Sequence, residues 1–334
     1  MFENRKIKVA LIGCGNIGAD EKKYGGNVSP GTHAGAYVKN KKVDLVAFVD
    51  NSEAQLEYAM SNFPRVQKYL DIDKMMQEMK PDLVSIATPS GLHYEHVMKV
   101  AKYKPSVILC EKPIAYKIHE AEEMIGECKK NGVTLFINHI RHFDPLLLKW
   151  SQKVKDGVIG EVLQGNAYYY NGFYNCGTHL IDLIRMYLGD PVSVSGHYNN
   201  LTSNIKNDSN IDGQLYFKNG GMITLQSLSA NYGVFGMQLY GTEGMINIKN
   251  LGYSVEYRKK VENENFAGYF QLSNDSEVEG EPRSFMKNSI NSVINFMIGA
   301  ESELSIGEDG LGILKILYAL EESAKENEKS IQIT

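Results

Sequence analysis

The first apolar run of the chain, IKVALIG at residues 7–13, ends in the hexapeptide GCGNIG, which sets Gly13, Gly15 and Gly18 in the spacing GxGxxG. The first glycine permits a tight turn, the second lets a backbone approach a pyrophosphate, and the third allows the next helix to pack close to the strand. A strand must enter this turn and a helix must leave it. Further apolar runs recur at 43–50 (VDLVAFVD), 81–88 (PDLVSIAT), 106–112 (SVILCEK) and 133–138 (VTLFIN). Continuous apolar strands are buried on both faces, as in a parallel sheet covered by helices. Between them, residues 52–63, 71–79, 93–103 and 117–132 carry apolar side chains at three- and four-residue spacings, the last stopping at Asn131-Gly132. Residues 1–138 therefore read as a Rossmann-type, doubly wound parallel α/β domain.

From about Gly160 the rhythm changes. Stretches such as EVLQGNAYYY, VSVSGHYN, IDGQLYF, GMITLQSLS, FGMQLYG and GYSVEYR are joined by glycine-containing turns, the pattern of a largely antiparallel sheet. One helix is expected at 175–189, and two more close the chain at 284–299 and 309–329, the charged end of the last being a solvated face. Residues 139–334 read as an α+β domain with an open sheet that needs a cover.

Composition narrows the function classes. A formal net charge of -5 gives no basic footprint for nucleic acid. The longest apolar runs fall short of the roughly 18 residues that span a bilayer, and MFENRKIKVA runs into a strand without a signal-like apolar region, so a cytoplasmic protein with no membrane partner is expected. The four cysteines are scattered without a CxxC pair, so neither a disulfide framework nor a zinc ribbon is indicated.

The second strand ends in Asp50, placed to accept hydrogen bonds from a ribose hydroxyl, and Asn51 and Ser52 follow with no arginine to hold a 2'-phosphate. NAD is expected ahead of NADP. Asp50 follows Gly18 at a longer interval than the usual ~20 residues, which marks an insertion. Residues 20–29 read as an extra loop, lying over the cofactor or substrate or merely on the surface, with Ser29 and Pro30 as N-cap and first residue of the following helix. The fourth of these apolar runs delivers Glu111 and Lys112 to its C-terminal end, where ligands bind in open α/β sheets.

GCGNIG, SIATPSGLHYEH, CEKPIA, NHIRHFDP and GTHLIDL occur in an order and spacing that resemble the glucose-fructose oxidoreductase, inositol dehydrogenase and MocA (Gfo/Idh/MocA) family. The resemblance spans nearly the whole chain and implies an NAD(P)-dependent oxidoreductase acting on a sugar, sugar nucleotide or cyclitol. It assigns catalysis to Lys112 of the EKP motif and to His179, with Glu111 at the cofactor or lysine and a bond before Pro113 that is often cis in relatives. Cys14, Asn16, Ile17, Thr88, Pro89, Ser90 and His93 would line the dinucleotide together with the three glycines, Asp50, Asn51 and the EKP pair. Arg141 would approach substrate, its guanidinium suited to a carboxylate or phosphate. Asn175 and Asp182, at i−4 and i+3 from His179, and Tyr170 complete the substrate set. Tyr168 and Tyr170 share a strand face that stacks on a sugar or packs in the core. The family often has Asp where this chain has Asn175; Asn cannot take a proton, and the change moves the expected substrate toward nucleotide-linked amino sugars or uronic acids.

His139, His142 and Asp144 are spaced for a metal, but hydride transfer needs no Lewis acid and none is expected. His96 reads as a helix-surface residue. Two other readings compete: a cyclitol (inositol-type) dehydrogenase, for which Asp at position 175 is expected, and a non-catalytic NAD-binding regulator, against which the retention of Lys112 and His179 speaks. Family resemblance also implies a homodimer or homotetramer formed through the C-terminal sheet.

Overall fold

The computed structural model describes residues 5–24, 26–203, 205–300 and 304–333. The chain forms two compact units: the first runs to Asp144 and takes in Arg283–Leu314, and the second comprises Pro145–Pro282 and the chain from Lys315.

The first unit holds six parallel strands, β1 (Ile7–Ile12), β2 (Val43–Val49), β3 (Gln67–Tyr69), β4 (Leu83–Ile86), β5 (Val107–Cys110) and β6 (Thr134–Ile137). Their order is β3-β2-β1-β4-β5-β6, the doubly wound arrangement whose strand order reverses beside β1. β4 and β5 are buried at every position, which is why they appear in sequence as unbroken apolar runs. β3 was not expected: it is a three-residue edge strand in which only Tyr69 is buried. The one polar side chain inside β4, Ser85, is hydrogen-bonded to the Tyr37 hydroxyl at 2.5 Å.

The helices of this unit are α1 (Asn16–Ala19), α2 (Glu21–Tyr24), α3 (His33–Val38), α4 (Glu53–Asn62), α5 (Ile72–Met79), α6 (His93–Ala101) and α7 (Ile118–Asn131). Ser52 caps α4 and Asp71 caps α5, each accepting a backbone N–H of the first turn. α7 stops at Gly132 in the left-handed region, φ 70°, as its Asn-Gly ending predicts.

The inserted segment departs from the expected plain loop. Glu21–Tyr24 is helical, Gly26–Val28 forms a 3-10 turn, and Gly25 lies outside the described residues. The helix expected to begin at Ser29 and Pro30 begins at His33. Ser29 directs its hydroxyl to Glu21, and Thr32 takes the capping role by accepting the Gly35 N–H at 3.1 Å.

The second unit is built on a mixed, largely antiparallel sheet. Its strands are β7 (Val162–Tyr170), β8 (Ser193–Tyr198), β9 (Ile211–Tyr216), β10 (Met222–Leu228), β11 (Gly236–Gly241), β12 (Gly244–Lys249), β13 (Ser254–Glu262), β14 (Phe270–Leu272), β15 (Glu277–Glu279) and β16 (Ile331–Gln332). Among the described residues the order is β14-β13-β12-β11-β7-β10-β9-β8-β16, with β15 also on β13. β7 runs parallel to β10, from Gln164 opposite Met222 to Tyr170 opposite Leu228, and antiparallel to β11. β9 and β10 alternate buried with half-buried side chains, so one face carries the core and the other does not.

α8 (Pro145–Lys155) and α9 (Thr178–Leu188) belong to this unit, whereas α10 (Phe285–Met297) returns to the first. α10 packs Met286, Ile290, Val293, Ile294 and Met297 into the core around β1, β2, β4 and β5. α11 (Gly307–Lys325) spans the last division between units. Among the described residues no helix is long and apolar enough to cross a membrane.

Candidate active site

The glycine turn after β1 is fixed from three sides. Gly13 has φ 91°, and a Cβ there would lie 2.7 Å from the Ala87 carbonyl carbon and the Thr88 nitrogen, so only glycine fits. A Cβ on Gly18 would lie 2.0 Å from the Gly13 carbonyl oxygen, whereas one on Gly15 meets no atom within 4 Å. The two outer glycines thus serve the protein's own packing, and the middle one leaves open space. Asp50 accepts the Cys14 backbone N–H at 2.9 Å through one carboxylate oxygen and the Ser52 N–H at 3.0 Å through the other. Gln55 on α4 donates to the Cys14 carbonyl at 2.8 Å. Burial pushes the Cys14 thiol up, with Asp50 adding to the shift, which disfavours the thiolate. Asn16 is exposed, Ile17 is half-buried, and Asn51 is exposed beyond Asp50. Open space at Gly15 beside a carboxylate held in one orientation suits a dinucleotide, with backbone N–H groups available to the phosphates and Asp50 to a ribose.

The next two loops along the sheet are joined by one buried histidine. His93, the first residue of α6, is 0% exposed; its Nδ1 lies 2.8 Å from the Pro113 carbonyl oxygen and its Nε2 3.0 Å from that of Thr88. Burial pulls its pKa down, against the two carbonyls and Glu111, which favour the charged ring. His93 therefore ties the loop after β4 to the turn after β5. Pro89 is exposed and Ser90 half-buried at the start of a 3-10 turn. His96, expected on the surface, is half-buried, with its Nδ1 3.1 Å from the Thr88 hydroxyl.

Glu111, one residue past β5, is buried, while Lys112 is half-buried and the Lys112-Pro113 bond is cis. Burial alone would raise the Glu111 pKa; hydrogen bonding and charge from His33, the charge of Lys112 and a bond from Asn138 outweigh it and hold the carboxyl at about 2. Sequence reasoning gave no role to His33, which carries no local motif, or to Asn138, the first residue of NHIRHFDP.

Arg141 lies with its guanidinium carbon 5.3 Å from the centre of the Phe285 ring, a cation–π contact. Asp144 is fully buried and accepts two hydrogen bonds from Arg283, at 2.6 and 2.5 Å, and one from Asn288 at 3.0 Å. His139 is buried, with its Nδ1 3.5 Å from the Ser305 hydroxyl.

In the second unit, the helix expected over 175–189 opens as a π turn, Phe173–Gly177, and becomes α-helical only at Thr178. Asn175 sits in that wider turn, so it does not keep a regular α-helical i−4 relation to His179, whereas Asp182 remains three residues along α9. Asp208 caps the π turn, accepting the N–H of Tyr174 at 2.8 Å and of Asn175 at 3.1 Å. The Asn175 side chain donates to the Asn171 carbonyl at 2.9 Å, and the Tyr174 hydroxyl donates to Glu321 at 2.8 Å. His179 and Asp182 are buried, 7% and 2% exposed. Along β7, Tyr168 and Tyr170 are half-buried on one face and Tyr169 fully buried on the other, as alternation predicts.

These features define a class: a dinucleotide-type Rossmann unit with an acid-base pair at the end of β5, followed by a mixed-sheet unit carrying a buried histidine. The described family is more specific. Residues 7–139 match the family model of the GFO_IDH_MocA oxidoreductases, described as an oxidoreductase family with an NAD-binding Rossmann fold, and residues 170–247 match the GFO/IDH/MocA C-terminal domain. The chain belongs to the Gfo/Idh/MocA oxidoreductase family.

An uncharacterized oxidoreductase of Streptococcus pneumoniae is 29% identical over 47% of this chain and 38% of its own length. The 2,7-anhydro-N-acetylneuraminate hydratase of Escherichia coli is 30% identical over 60% of this chain and 61% of its own. The chain thus matches less than two thirds of either relative. Among solved structures, the WlbA dehydrogenase of Bordetella pertussis, in complex with NADH and UDP-GlcNAcA, superimposes with a TM-score of 0.78 over 99% of both chains at 20% identity, a likeness of fold.

Proposed function

We propose that the protein is an NAD-dependent oxidoreductase that moves hydride between nicotinamide and a secondary alcohol or ketone of a sugar or sugar nucleotide. The observation that carries this reading is the EKP turn: a buried, ionised Glu111 directly precedes Lys112 at the C-terminal end of β5, in a unit whose glycine turn fits a dinucleotide. When bound, the nicotinamide accepts or returns the hydride. Lys112 and His179 handle the hydroxyl proton, Lys112 by hydrogen bonding to the reacting oxygen and His179 as an imidazole, the side-chain type suited to proton exchange. Asp50, with both oxygens anchored to backbone, favours the ribose of NAD and opposes the 2'-phosphate of NADP. Arg141, Tyr170, Asn175 and Asp182 are proposed to meet the substrate. Asn175 in place of a carboxylate, together with the UDP-GlcNAcA bound by the Bordetella protein, supports a nucleotide-linked amino sugar or uronic acid.

The test is a screen of sugars, nucleotide sugars and cyclitols that follows nicotinamide absorbance. Turnover on a nucleotide sugar is expected; turnover confined to inositols would replace this reading with the cyclitol dehydrogenase. The similarity to a hydratase of an anhydro sugar favours a second reading, in which water is added to the substrate with no net change of the nicotinamide. Product masses distinguish the two, because the hydratase alone adds one water while absorbance stays flat. Tight NAD binding without either signal would leave a regulator.

A further inference from the structure

The helix that follows the inserted segment begins with a histidine shut off from solvent. His33 is 0% exposed, and its Nε2 lies 2.9 Å from Glu111 Oε1. The same carboxylate oxygen accepts Asn138 Nδ2 at 2.7 Å, and Asn138 Oδ1 accepts the hydroxyl of Ser289 on α10. An ionised carboxylate only accepts, so Nε2 of His33 carries a proton. The other ring nitrogen, Nδ1, is buried with no hydrogen-bond partner. A core that sought stability alone could use apolar side chains, because the cost of taking a carboxylate out of water can exceed what its partners return.

What this arrangement holds is the turn that carries Lys112. With Oε1 of Glu111 engaged by His33 and Asn138, Oε2 is left directed at the backbone N–H of Lys112, 3.3 Å away. His33 in turn is set by the inserted segment. Glu21 accepts the Ser29 hydroxyl at 2.6 Å, the Gly31 N–H at 3.0 Å, the Thr32 N–H at 3.2 Å and the Thr32 hydroxyl at 2.7 Å. Burial alone would raise the Glu21 pKa, but these bonds outweigh it and hold the carboxyl below its ordinary value. Thr32 then caps α3 one residue before His33. A continuous line of contacts runs from Glu21 through Thr32, His33 and Glu111 to the Lys112 amide.

We propose that His33 is a positioning residue for Lys112, acting through Glu111, and that Glu21 with Ser29, Gly31 and Thr32 forms the brace that sets it. The functional half of this inference rests on the reading of Lys112 as a proton-handling group. An inserted segment near a cofactor turn would otherwise be read as a lid, but its Glu21 carboxylate is spent on the residues that lead into α3.

Amide hydrogen exchange followed by mass spectrometry tests the hold without any substrate. In His33→Ala the peptide covering 110–116 exchanges about tenfold faster or more, while the β4 peptide covering 83–86 stays within about twofold of the parent. His33→Gln, whose side-chain amide offers a donor to the same carboxylate oxygen, restores most of the protection. Glu21→Gln, which leaves the core untouched, speeds the 110–116 peptide by about threefold and serves if His33→Ala does not fold. With the substrate found in the screen, His33→Ala lowers kcat about tenfold with KM changed less than about threefold, and His33→Gln recovers kcat. Unchanged exchange at 110–116 in both His33→Ala and Glu21→Gln would overturn the proposal. So would an equal rise across the whole unit that His33→Gln does not reverse, since that is the mark of a merely structural histidine. The expected exchange pattern in a protein that turns over no sugar would instead overturn the proposed reaction and leave the hold of His33 on the turn standing.

Discussion

The backbone N–H of Cys14 donates to Asp50 Oδ2 at 2.9 Å, joining the end of β2 to the glycine turn that leaves β1. One carboxylate fixes the turn, and in the proposed function it also presents its remaining lone pairs to a ribose. Asp50→Ala loses both. A charge-assisted hydrogen bond contributes ~1.5–3 kcal/mol, so NAD affinity is expected to fall by roughly tenfold or more. The preference for NAD over NADP should narrow at the same time, because the charge that opposes a 2'-phosphate has gone. Calorimetric titration of the parent and variant with both dinucleotides checks this, and a parent protein that binds NADP more tightly would remove the role given to Asp50.

The three glycines of the fingerprint should separate on substitution. Gly15→Ala adds a methyl into open space, so the thermal midpoint should change little while NAD affinity drops at least about tenfold. Gly13→Ala forces a side chain into φ 91° and against the Ala87-Thr88 peptide, and should fail to give folded protein. A Gly15→Ala variant that binds NAD as the parent does would mean that the dinucleotide lies elsewhere.

Much of this was legible in the sequence, for a physical reason. Strands buried on both faces must be apolar over most of their length, so β1, β2, β4, β5 and β6 stand out as runs. β3 lies at the edge with one buried residue and leaves no such trace. The glycine turn is legible because its constraints are local. The contacts that set the EKP turn are not: His33, Asn138 and Ser289 are brought to Glu111 from α3, the end of β6 and α10, and no short-range pattern encodes their meeting. The same holds for Asp208, which reaches the Tyr174 N–H from a separate loop. The misplaced start of α3 has a nearer cause. Ser29 and Thr32 are both good caps in sequence and both hydroxyls donate to Glu21, but only the Thr32 oxygen also accepts the N–H of a helical residue, Gly35.

Lys112→Met keeps an unbranched apolar stem and removes the charge and donors of the side chain. Turnover should fall by two orders of magnitude or more, in line with the ~10²–10⁴-fold contribution of a positioned acid or base. NAD affinity should survive within about threefold, since in the proposed function the glycine turn and Asp50 hold the dinucleotide. Single-turnover kinetics paired with calorimetry separates the two effects, and undiminished turnover would end the assignment.

Asp208 accepts two successive backbone N–H groups at the opening of the π turn, and Gly172, φ 95°, passes close to its carboxylate. Asp208→Ala leaves those donors without their cap and should cost ~0.5–2 kcal/mol of stability in urea unfolding, the range for a lost N-cap. Because the turn carries Asn175 and leads into the helix of His179, the KM for substrate should rise as well. A variant with parental stability would show that the π turn stands without its cap.

Glu111 makes a pH prediction whose sign follows from its depressed pKa. The carboxyl is held at about 2 in the folded protein against an ordinary 4.5, so the unfolded chain binds the proton first as pH falls. The stability this group contributes is complete above pH 4.5, declines between 4.5 and about 2, and is gone below that. Glu111→Gln keeps an acceptor for Asn138 but not the charge that His33 and Lys112 face. It should therefore be less stable than the parent at pH 7, with a gap that shrinks steadily through pH 4 and pH 3. Urea unfolding of both proteins across that series measures the gap. A difference that stays constant, or widens on acidification, would mean that Glu111 is not held ionised by its buried partners, and the account of the EKP turn would lose its electrostatic basis.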